Sequence, residues 1–283
     1  MHKNIKDQLL ENSILMEREL SNIYSANACT HEGLLLAQRY GLLGGGKRIR
    51  AFLLLHTTKM LGGDINAAIP YACAIELIHA SSLVHDDMPC MDNDDMRRGK
   101  PSAHKAYGET LALLAGDALL VKAFEVAINN SYTSVENNNK AVGILAGATG
   151  DAGMLAGQAL DTVQSKSTHS LESLIQLHKL KTGRLISASA KLGCLAAGID
   201  ESDKRYNSLI KYAENVGLAF QIIDDILDYD EDKIEANSFT SFMGLDEAKK
   251  YAKDLTQAGI DEVLSFDDGT LKSLAEYLIK REY

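Results

Sequence analysis

The sequence contains no tryptophan, and its only three prolines all lie before residue 102. Proline interrupts helices, so the chain beyond Pro101 can form long helices without a break. Sustained alternation of apolar and polar residues is also missing, which argues against β-strands. These absences favour a protein built from α-helices.

The four cysteines form no CxxC pair and no tight cluster; they are Cys29, Cys73, Cys90 and Cys194. This spacing is typical of reduced, mostly buried thiols, and we expect a cytoplasmic protein. Basic charge is also in short supply, since the net charge is −10 and the pI is near 5.3. We therefore predict no nucleic-acid partner, because binding a phosphate backbone usually requires a basic face.

Signals for membrane insertion or secretion are absent as well. The first residues are polar and amphipathic, unlike a signal peptide. The longest apolar candidate, residues 141–160, is interrupted by Asp151 and several glycines. No stretch of about 18 apolar residues is evident, so we expect no membrane span.

Apolar residues recur with helical spacing along most of the chain. The predicted helices are an opening helix from residue 5, then 52–60, 64–88, 109–129, 139–163, 170–197 and 203–231. Pro89 is expected to end the third of these. We predict a single all-α domain over residues 1–283, with roughly ten or more helices around a deep central cavity.

The first group with chemical potential is an aspartate-rich segment that follows the apolar helix. Asp86, Asp87 and Asp92 lie at and just after the predicted helix end, and Arg97 and Arg98 follow shortly. Carboxylates are preferred ligands of Mg²⁺, and arginine pairs can hold phosphate oxygens. A solvated acidic loop is the simpler alternative, but the arginine pair argues against it.

A second aspartate group stands at the end of the predicted helix 203–231. Asp224 and Asp228 are four residues apart, so they share one helix face. Like charges at this spacing repel each other, which a bound cation would relieve. An exposed helix edge is the alternative, although the intervening isoleucines leave little of this helix for water. Two such helix ends predict facing metal sites around one anion.

A third group is the basic turn Gly-Gly-Gly-Lys-Arg-Ile-Arg at residues 44–50. It nearly matches a nucleotide-binding P-loop, but Arg48 replaces the required Ser or Thr and no strand precedes it. A glycine turn that leads into a helix, with Lys47, Arg48 and Arg50, still suits a diphosphate. The alternative is a basic surface turn.

Several isolated residues have weaker signals. Lys181 and Thr182 on the predicted helix 170–197 can be a functional pair or simply an exposed one. His79 has the pattern of a core histidine. Gln158 and Asp161, three residues apart, can bond to each other.

Taken together, these segments resemble the trans-prenyltransferases of the farnesyl and geranylgeranyl diphosphate synthase family. The matching segments occur in the family's order: GGGKRIR, IHASSLVHDDMPCMDNDDMRRGKPSAH, GQALD, HKLKTG and FQIIDDILD. The spacing DDMPCMD is similar to that of bacterial and plant short-chain members. The resemblance implies the all-α isoprenoid synthase fold, a homodimer, and about three Mg²⁺ ions in each active site.

The resemblance also implies roles for individual residues. The metal ligands would be Asp86, Asp87, Asp92, Asp224 and Asp228. The allylic diphosphate would contact Arg97 and Lys181, and isopentenyl diphosphate would contact Lys47, Arg50, His79 and Arg98. Thr182 and Gln221 would line the reacting centre. Ser81, below the first aspartates, would bound the product pocket, and its small side chain favours a twenty-carbon over a fifteen-carbon product.

The chain departs from the family pattern at two places. Ala51 stands where the family usually has proline, and we expect little consequence. The loop 229–240 is shortened, with Ala236 or Asn237 where a phosphate-binding lysine is usual and only Lys233 nearby in the wrong register. The altered loop leaves open a weakly active paralogue that serves as a partner subunit. A terpene cyclase or head-to-head synthase is disfavoured by KRIR and by the arginine pair.

Overall fold

The computed structural model describes residues 4–25, 30–164, 170–230 and 237–280. Within these ranges the chain is helical apart from short turns and one two-stranded hairpin, which confirms the all-α prediction. The chain divides into two compact units, Met1–Gly143 and Ile144–Tyr283, called here the first and second units. The boundary falls within helix α7, Val135–Thr149.

The described elements of the first unit are α1 (Ile5–Ser25), α2 (Glu32–Leu42), α3 (Ile49–Met60), α4 (Ile65–Asp86), β1 (Met96–Arg97), β2 (Lys100–Pro101), α5 (Ala103–Tyr107) and α6 (Glu109–Ile128). Helix α4 is the central element, because α1, α2, α3 and α6 all pack against it. Its start is capped by Asp64, whose side chain accepts a hydrogen bond from the Asn66 N–H at 2.9 Å. Gly116 of α6 faces α4, and a Cβ atom there would lie 2.1 Å from His85 Nε2, so a larger residue would displace this ring.

Helix α4 also corrects an expectation from the sequence. Among the described residues it is one helix that is long and apolar enough to cross a membrane, with a mean hydropathy of 1.4 over its most apolar window. The sequence therefore does contain such a stretch. However, 72% of that window is buried inside the protein, as in the core helix of a globular fold.

The described elements of the second unit are α8 (Met154–Gln164), α9 (Leu171–His178), a π-helical turn (Lys179–Gly183), α10 (Arg184–Ala196), α11 (Lys204–Leu227), α12 (Phe239–Met243), α13 (Leu245–Val263) and α14 (Thr270–Ile279). Helix α11 packs against α10, α13 and the π-helical turn. Its start is capped by Asp203, and the hydrogen bonds that this carboxylate accepts from Arg205 lower its pKa to about 2.

Most predicted helices are confirmed, with two corrections. The segments 52–60, 64–88, 109–129 and 203–231 correspond to α3, α4, α6 and α11. The predicted helix 139–163 is wrong, because a turn at residues 150–153 separates α7 from α8. The predicted helix 170–197 is continuous but contains the π-helical turn. Of the described cysteines, Cys73 and Cys194 are buried and Cys90 is exposed, which agrees with mostly buried thiols; Cys29 lies outside the described residues.

Candidate active site

The first aspartates stand on a closed turn at the end of α4. The backbone N–H of Asp92 donates to the carbonyl of Asp86 at 2.9 Å, and Asn93 N–H donates to the Met88 carbonyl at 3.1 Å. Pro89 follows shortly after the helix and prevents its continuation. The turn therefore brings the two ends of the DDMPCMD segment together, with Asp86 half-buried and Asp92 exposed.

Asp87 occupies a different environment from its neighbours. Its side chain is only 3% exposed, and one of its oxygens accepts hydrogen bonds from Arg97 Nε, at 2.9 Å, and from Arg97 Nη2. The Asp87 carboxylate is the main cause that raises the pKa of Arg97, and Asp94 binds the same guanidinium at 3.1 Å. Asp87 therefore fixes the Arg97 side chain, and its role as a metal ligand stays a prediction.

Arg98 and Gly99 form the tip of the β1–β2 hairpin, and both have positive φ, 53° at Arg98 and 74° at Gly99. Positive φ at both central residues is the conformation that tight two-residue hairpins require. From this tip Arg98 Nη1 donates a hydrogen bond to the Gly45 carbonyl at 2.6 Å. The glycine turn 44–46 is therefore bound to an arginine rather than being a bare surface turn.

A group of cations surrounds this contact. Burial lowers the pKa of Arg50 and of Arg98, and each is further lowered by neighbouring arginines. His79 is half-buried, and burial together with Arg50 and Arg98 holds its pKa well below the ordinary value. His79 is thus a neutral ring with guanidinium groups nearby, and its contact with substrate stays a prediction. Lys47 is exposed at the edge of the same turn.

This group, Lys47, Arg50, His79 and Arg98, has the electrostatics of an anion site. The Nε atom of Arg50 is buried and has no hydrogen-bond partner within the part of the chain that the structure describes. Cations that lower one another's pKa are stabilised by an anion that binds among them. A diphosphate, with several acceptor oxygens, matches such a donor set.

In the second unit the π-helical turn presents Lys181 and Thr182. A π-helical turn widens the helix by one residue and frequently marks functional sites. Helix α8 approaches this turn so closely that a Cβ atom on Gly157 would lie 2.2 Å from the backbone nitrogen of Lys181. Lys181 Nζ binds Asp161 Oδ2 at 2.5 Å, and Thr182 is buried, so the two do not form an exposed pair.

The side chains beyond the π-helical turn are connected by hydrogen bonds. Thr182 Oγ1 donates to Gln221 Oε1 at 2.9 Å, and Gln221 Nε2 donates to Asp224 Oδ2 at 3.0 Å. The structure therefore brings together three of the residues predicted from the sequence. The alternative that Gln158 and Asp161 bond to each other is wrong, since Gln158 donates weakly to Thr162.

Asp224 and Asp228 stand on the last turn of α11. Asp228 caps the helix and its N–H donates to the Asp224 carbonyl at 3.0 Å. Asp224 is half-buried and Asp228 is exposed. Like Asp86 and Asp92 in the first unit, these two residues offer carboxylate oxygens, the ligands that hard divalent cations such as Mg²⁺ prefer.

Sequence reasoning missed several residues that shape the site. Asp225 accepts a hydrogen bond from the Phe239 N–H at 2.7 Å and so fixes α12 beside the end of α11. His178 is stacked on Phe239 with 5.3 Å between ring centres. Both residues stood within segments recognised in the sequence, FQIIDDILD and HKLKTG, but neither was given a role there.

The predicted roles of Ser81 and of the shortened loop 229–240 are not tested by the described contacts. Ser81 is buried on α4, 3% exposed, and its role in limiting the product stays a prediction. Lys233 and Ala236 lie outside the described residues, so the shortened loop also stays a prediction there. Asn237 directly precedes Ser238, which caps α12.

Comparison with known proteins identifies the family. The family model for polyprenyl synthetase matches residues 32–239. The chain is 41% identical over 259 residues to a geranylgeranyl diphosphate synthase of Cyanophora paradoxa, with 86% of each chain covered. It is 40% identical over 280 residues to a farnesyl diphosphate synthase of Haemophilus influenzae, with 94% of each covered.

Solved structures agree with these relatives. An FPP/GFPP synthase from Zymomonas mobilis superposes with a TM-score of 0.90 at 34% identity, covering 97% of this chain and 98% of that one. A geranyltransferase from Legionella pneumophila gives a TM-score of 0.92 at 32% identity, covering 98% and 96%. The isoprenoid synthase fold expected from the sequence is thereby confirmed. The chain therefore belongs to the polyprenyl synthetase family and is a prenyltransferase.

Proposed function

We propose that the protein is a short-chain all-trans prenyl diphosphate synthase that condenses isopentenyl diphosphate with an allylic diphosphate. The allylic substrates are dimethylallyl, geranyl and, for the longest product, farnesyl diphosphate. The observation that carries this proposal is the group of three cations, Lys47, Arg50 and Arg98, together with the neutral ring of His79; these four residues are called the cation group here. Its positive side chains can bind a diphosphate directly, whereas the aspartates at the end of α4 can bind one only through metal ions. The protein therefore has a second diphosphate site that needs no metal.

The reaction replaces a carbon–oxygen bond of the allylic diphosphate with a carbon–carbon bond to isopentenyl diphosphate. The bond between the allylic carbon and its diphosphate oxygen breaks, the double bond of isopentenyl diphosphate forms a new carbon–carbon bond, and one proton is then lost. Bound Mg²⁺ would supply positive charge to the departing diphosphate. Asp86, Asp92, Asp224 and Asp228 would hold about three such ions, with Asp87 supporting them through Arg97.

The protein's own groups would hold and shield the substrates. Arg97 and Lys181 would bind the allylic diphosphate, while the cation group would hold isopentenyl diphosphate. The Thr182 hydroxyl and the Gln221 side-chain carbonyl lie together, because Gln221 Oε1 accepts a hydrogen bond from Thr182 Oγ1. Their oxygen lone pairs are suited to face positive charge that develops at the allylic carbon. No side chain on the described part of the chain is assigned as the base, and the released diphosphate is the proposed proton acceptor.

The family match supports a single polyprenyl synthetase domain over residues 1–283, because residues 32–239 extend across the boundary between the two units. We further propose a cytoplasmic homodimer. The product is farnesyl or geranylgeranyl diphosphate. The small side chain of Ser81, about 7–8 Å before Asp86 along α4 at 1.5 Å per residue, favours the longer product.

The test is incubation of the protein with labelled isopentenyl diphosphate and each allylic primer in turn, followed by chromatography of the products. We expect an all-trans twenty-carbon product in the presence of Mg²⁺, and shorter products from Ser81→Phe. A fifteen-carbon product from both proteins would refute the role of Ser81. The alternative of a weakly active partner subunit, suggested by the shortened loop, predicts no appreciable turnover by the isolated chain.

A further inference from the structure

The first turn of α3 carries two of the cations assigned to isopentenyl diphosphate, Lys47 just before it and Arg50 within it. The first N–H groups of a helix have no partner inside the helix and are usually satisfied by the N-cap side chain. Here the N-cap residue is Arg48, and its side chain makes no capping hydrogen bond. Another group must therefore hold this end of the helix.

That group is Glu76 on α4, which is only 1% exposed. Its Oε1 atom accepts a hydrogen bond from the Ala51 N–H at 3.1 Å, and its Oε2 atom accepts one from Arg48 Nη1 at 3.2 Å. The same carboxylate thus binds the backbone after Arg50 and the side chain before it. His79 lies one helical turn further along α4.

Arg48 completes the connection. Its backbone is left-handed, with φ at 48°, and its side chain is only 2% exposed. Nη2 donates to Glu17 Oε1 and to the Leu42 carbonyl, each at 2.6 Å. Arg48 lies between Lys47 and Arg50 in the sequence, and its side chain points into the protein. A non-glycine residue in this conformation persists only where its surroundings hold it.

Ala51 gives this chain a contact that depends on the residue found there. Proline has no backbone N–H, so proline at position 51 would remove the hydrogen bond to Glu76 Oε1. Alanine retains it. The departure at position 51, which the sequence left without consequence, thus ties the first turn of α3 to α4.

Charge provides a second connection between Glu76 and the cation group. Glu76 opposes the lowering of the Arg50 and Arg98 pKa values by burial and by neighbouring arginines, and at Arg98 Glu17 acts in the same direction. A buried carboxylate beside a group of like charges reduces their mutual repulsion before any anion binds. Loss of its charge would let these side chains move apart.

We propose that Glu76, acting through Arg48 and the Ala51 N–H, is the positioning residue that holds the cations of the isopentenyl diphosphate site in binding geometry. The assignment to isopentenyl diphosphate rests on the proposed function. Glu76 itself touches no substrate in this proposal. Its effect should therefore fall on affinity for one diphosphate and not on the chemistry of the other.

The test compares Glu76→Gln, Ala51→Pro and a control, Glu19→Gln, whose half-buried carboxylate pairs with the exposed Arg18. Glu76→Gln keeps the shape and loses the charge, and we expect the KM for isopentenyl diphosphate to rise about 10–100-fold. Ala51→Pro keeps the charge and loses one hydrogen bond, so about a 3-fold rise is expected. The KM for the allylic diphosphate should change less than about 2-fold in all three proteins.

Binding of inorganic diphosphate, measured by calorimetry without metal, separates this proposal from the proposed function. If the wild-type protein does not condense isopentenyl diphosphate but Glu76→Gln still weakens diphosphate binding, only the function is wrong. Unchanged diphosphate binding, or equal increases in both KM values, would overturn the positioning role. Should Glu76→Gln fail to fold, Ala51→Pro decides the question on the same two measurements.

Discussion

The non-glycine residues with positive φ in the described chain are Arg48, Asn93 and Arg98, and all three stand beside predicted substrate or metal ligands. A side chain in the left-handed region costs roughly 1–2 kcal/mol relative to ordinary backbone. Each of these residues is held by specific contacts on the first unit. At the residue scale, the arrangement of the cations is therefore fixed before a substrate arrives.

Gly46 and Gly45 provide a matched test of this arrangement. Both have positive φ, 115° and 99°, so alanine is strained at either position. Only at Gly46 would the new Cβ atom meet another group, the Arg98 guanidinium at 3.1 Å. We expect both variants to lose about 1–2 kcal/mol of unfolding free energy. Gly46→Ala should also raise the KM for isopentenyl diphosphate about 10-fold, because Arg98 must move.

Urea titration and steady-state kinetics of the two variants provide the measurement. Gly45→Ala controls for backbone strain, since nothing lies within 4 Å of its added Cβ atom and alanine keeps the carbonyl that accepts the Arg98 hydrogen bond. Equal KM values for the two variants would contradict the role assigned to the contact between Gly46 and Arg98.

His178 predicts a pH dependence of stability. Burial lowers its pKa from 6.5 to about 4, and the nearby Gln221 and Asp161 only partly oppose this effect. The unfolded chain therefore binds a proton between these two pKa values that the folded chain does not, so stability falls as the pH drops from 6.5 toward 4. The loss is at most on the order of 3 kcal/mol.

His178→Phe keeps a ring against Phe239 and removes the titrating group. Urea midpoints at about pH 7.5 and pH 5 should differ less for this variant than for the wild-type protein. His79 titrates in the same direction in both proteins and does not affect the comparison. An equally large difference in the variant would show that His178 is not responsible.

At the scale of single elements, the π-helical turn is the feature that positions the chemistry of the second unit. It lies between α9 and α10 and presents Lys181 and Thr182 from consecutive positions. Lys181 binds Asp161 of α8, and Thr182 binds Gln221 of α11. One turn of irregular helix thus connects two other helices through side chains with proposed substrate roles.

We predict that Gly157→Ala displaces this turn. The added Cβ atom would lie 2.2 Å from the Lys181 nitrogen and 2.6 Å from its Cα atom, both of which are backbone. Overpacking of this kind typically costs about 1–3 kcal/mol, and kcat should fall because Lys181 and Thr182 shift together. Thermal unfolding and steady-state kinetics provide the measurement.

Gly147→Ala is the matched control for Gly157→Ala. Gly147 is exposed on α7, and nothing lies within 4 Å of its added Cβ atom. Alanine there should stabilise the helix by about 0.5–1 kcal/mol with no change in kcat. Wild-type kcat in Gly157→Ala would mean that the turn tolerates the displacement.

The sequence predicted the regular elements well and the irregular ones poorly, for identifiable physical reasons. The long helices α4, α6 and α11 follow from apolar periodicity and capping residues, which are local. The break between α7 and α8 depends on Gly153, where a Cβ atom would lie 2.2 Å from the Ala148 carbonyl oxygen. These two residues are only five apart, and the glycines and Asp151 at 150–153 were a local signal for a turn, which the apolar periodicity on both sides masked.

The residues of the site likewise divide into those with a recognisable sequence pattern and those without one. Aspartates and arginines were recognisable from their spacing, because metal and phosphate binding restrict residue type. Glu76 was not, since a single glutamate in the apolar sequence of α4 has no periodic signal. Its partners, Arg48 and the Ala51 N–H, become apparent only once α3 packs against α4.

On the scale of the whole molecule, negative charge dominates, with 39 acidic against 29 basic residues. The proposed metal ligands add to this excess, so divalent cations should be required for activity. We predict that Asp86→Ala and Asp224→Ala each lower kcat by at least about 100-fold. Their far-UV circular dichroism should match that of the wild-type protein, because Asp86 and Asp224 stand on the last turns of α4 and α11.

Titration with a chelator and restoration with Mg²⁺ or Mn²⁺ complete this test. Asp95→Ala is a suitable control, because Asp95 is exposed and pairs with Lys105 rather than with the predicted metal. Full activity in excess chelator would contradict the metal requirement.

The mutual repulsion of Arg50, Arg98 and their neighbours has a practical consequence for the choice of buffer. Sulfate and phosphate ions match part of a diphosphate and can occupy the same cations, whereas chloride offers a single charge. The protein should therefore melt at a higher temperature in sulfate or phosphate than in chloride at equal ionic strength. The same ions should compete with isopentenyl diphosphate, so its apparent affinity will be lower in phosphate buffer than in an amine buffer.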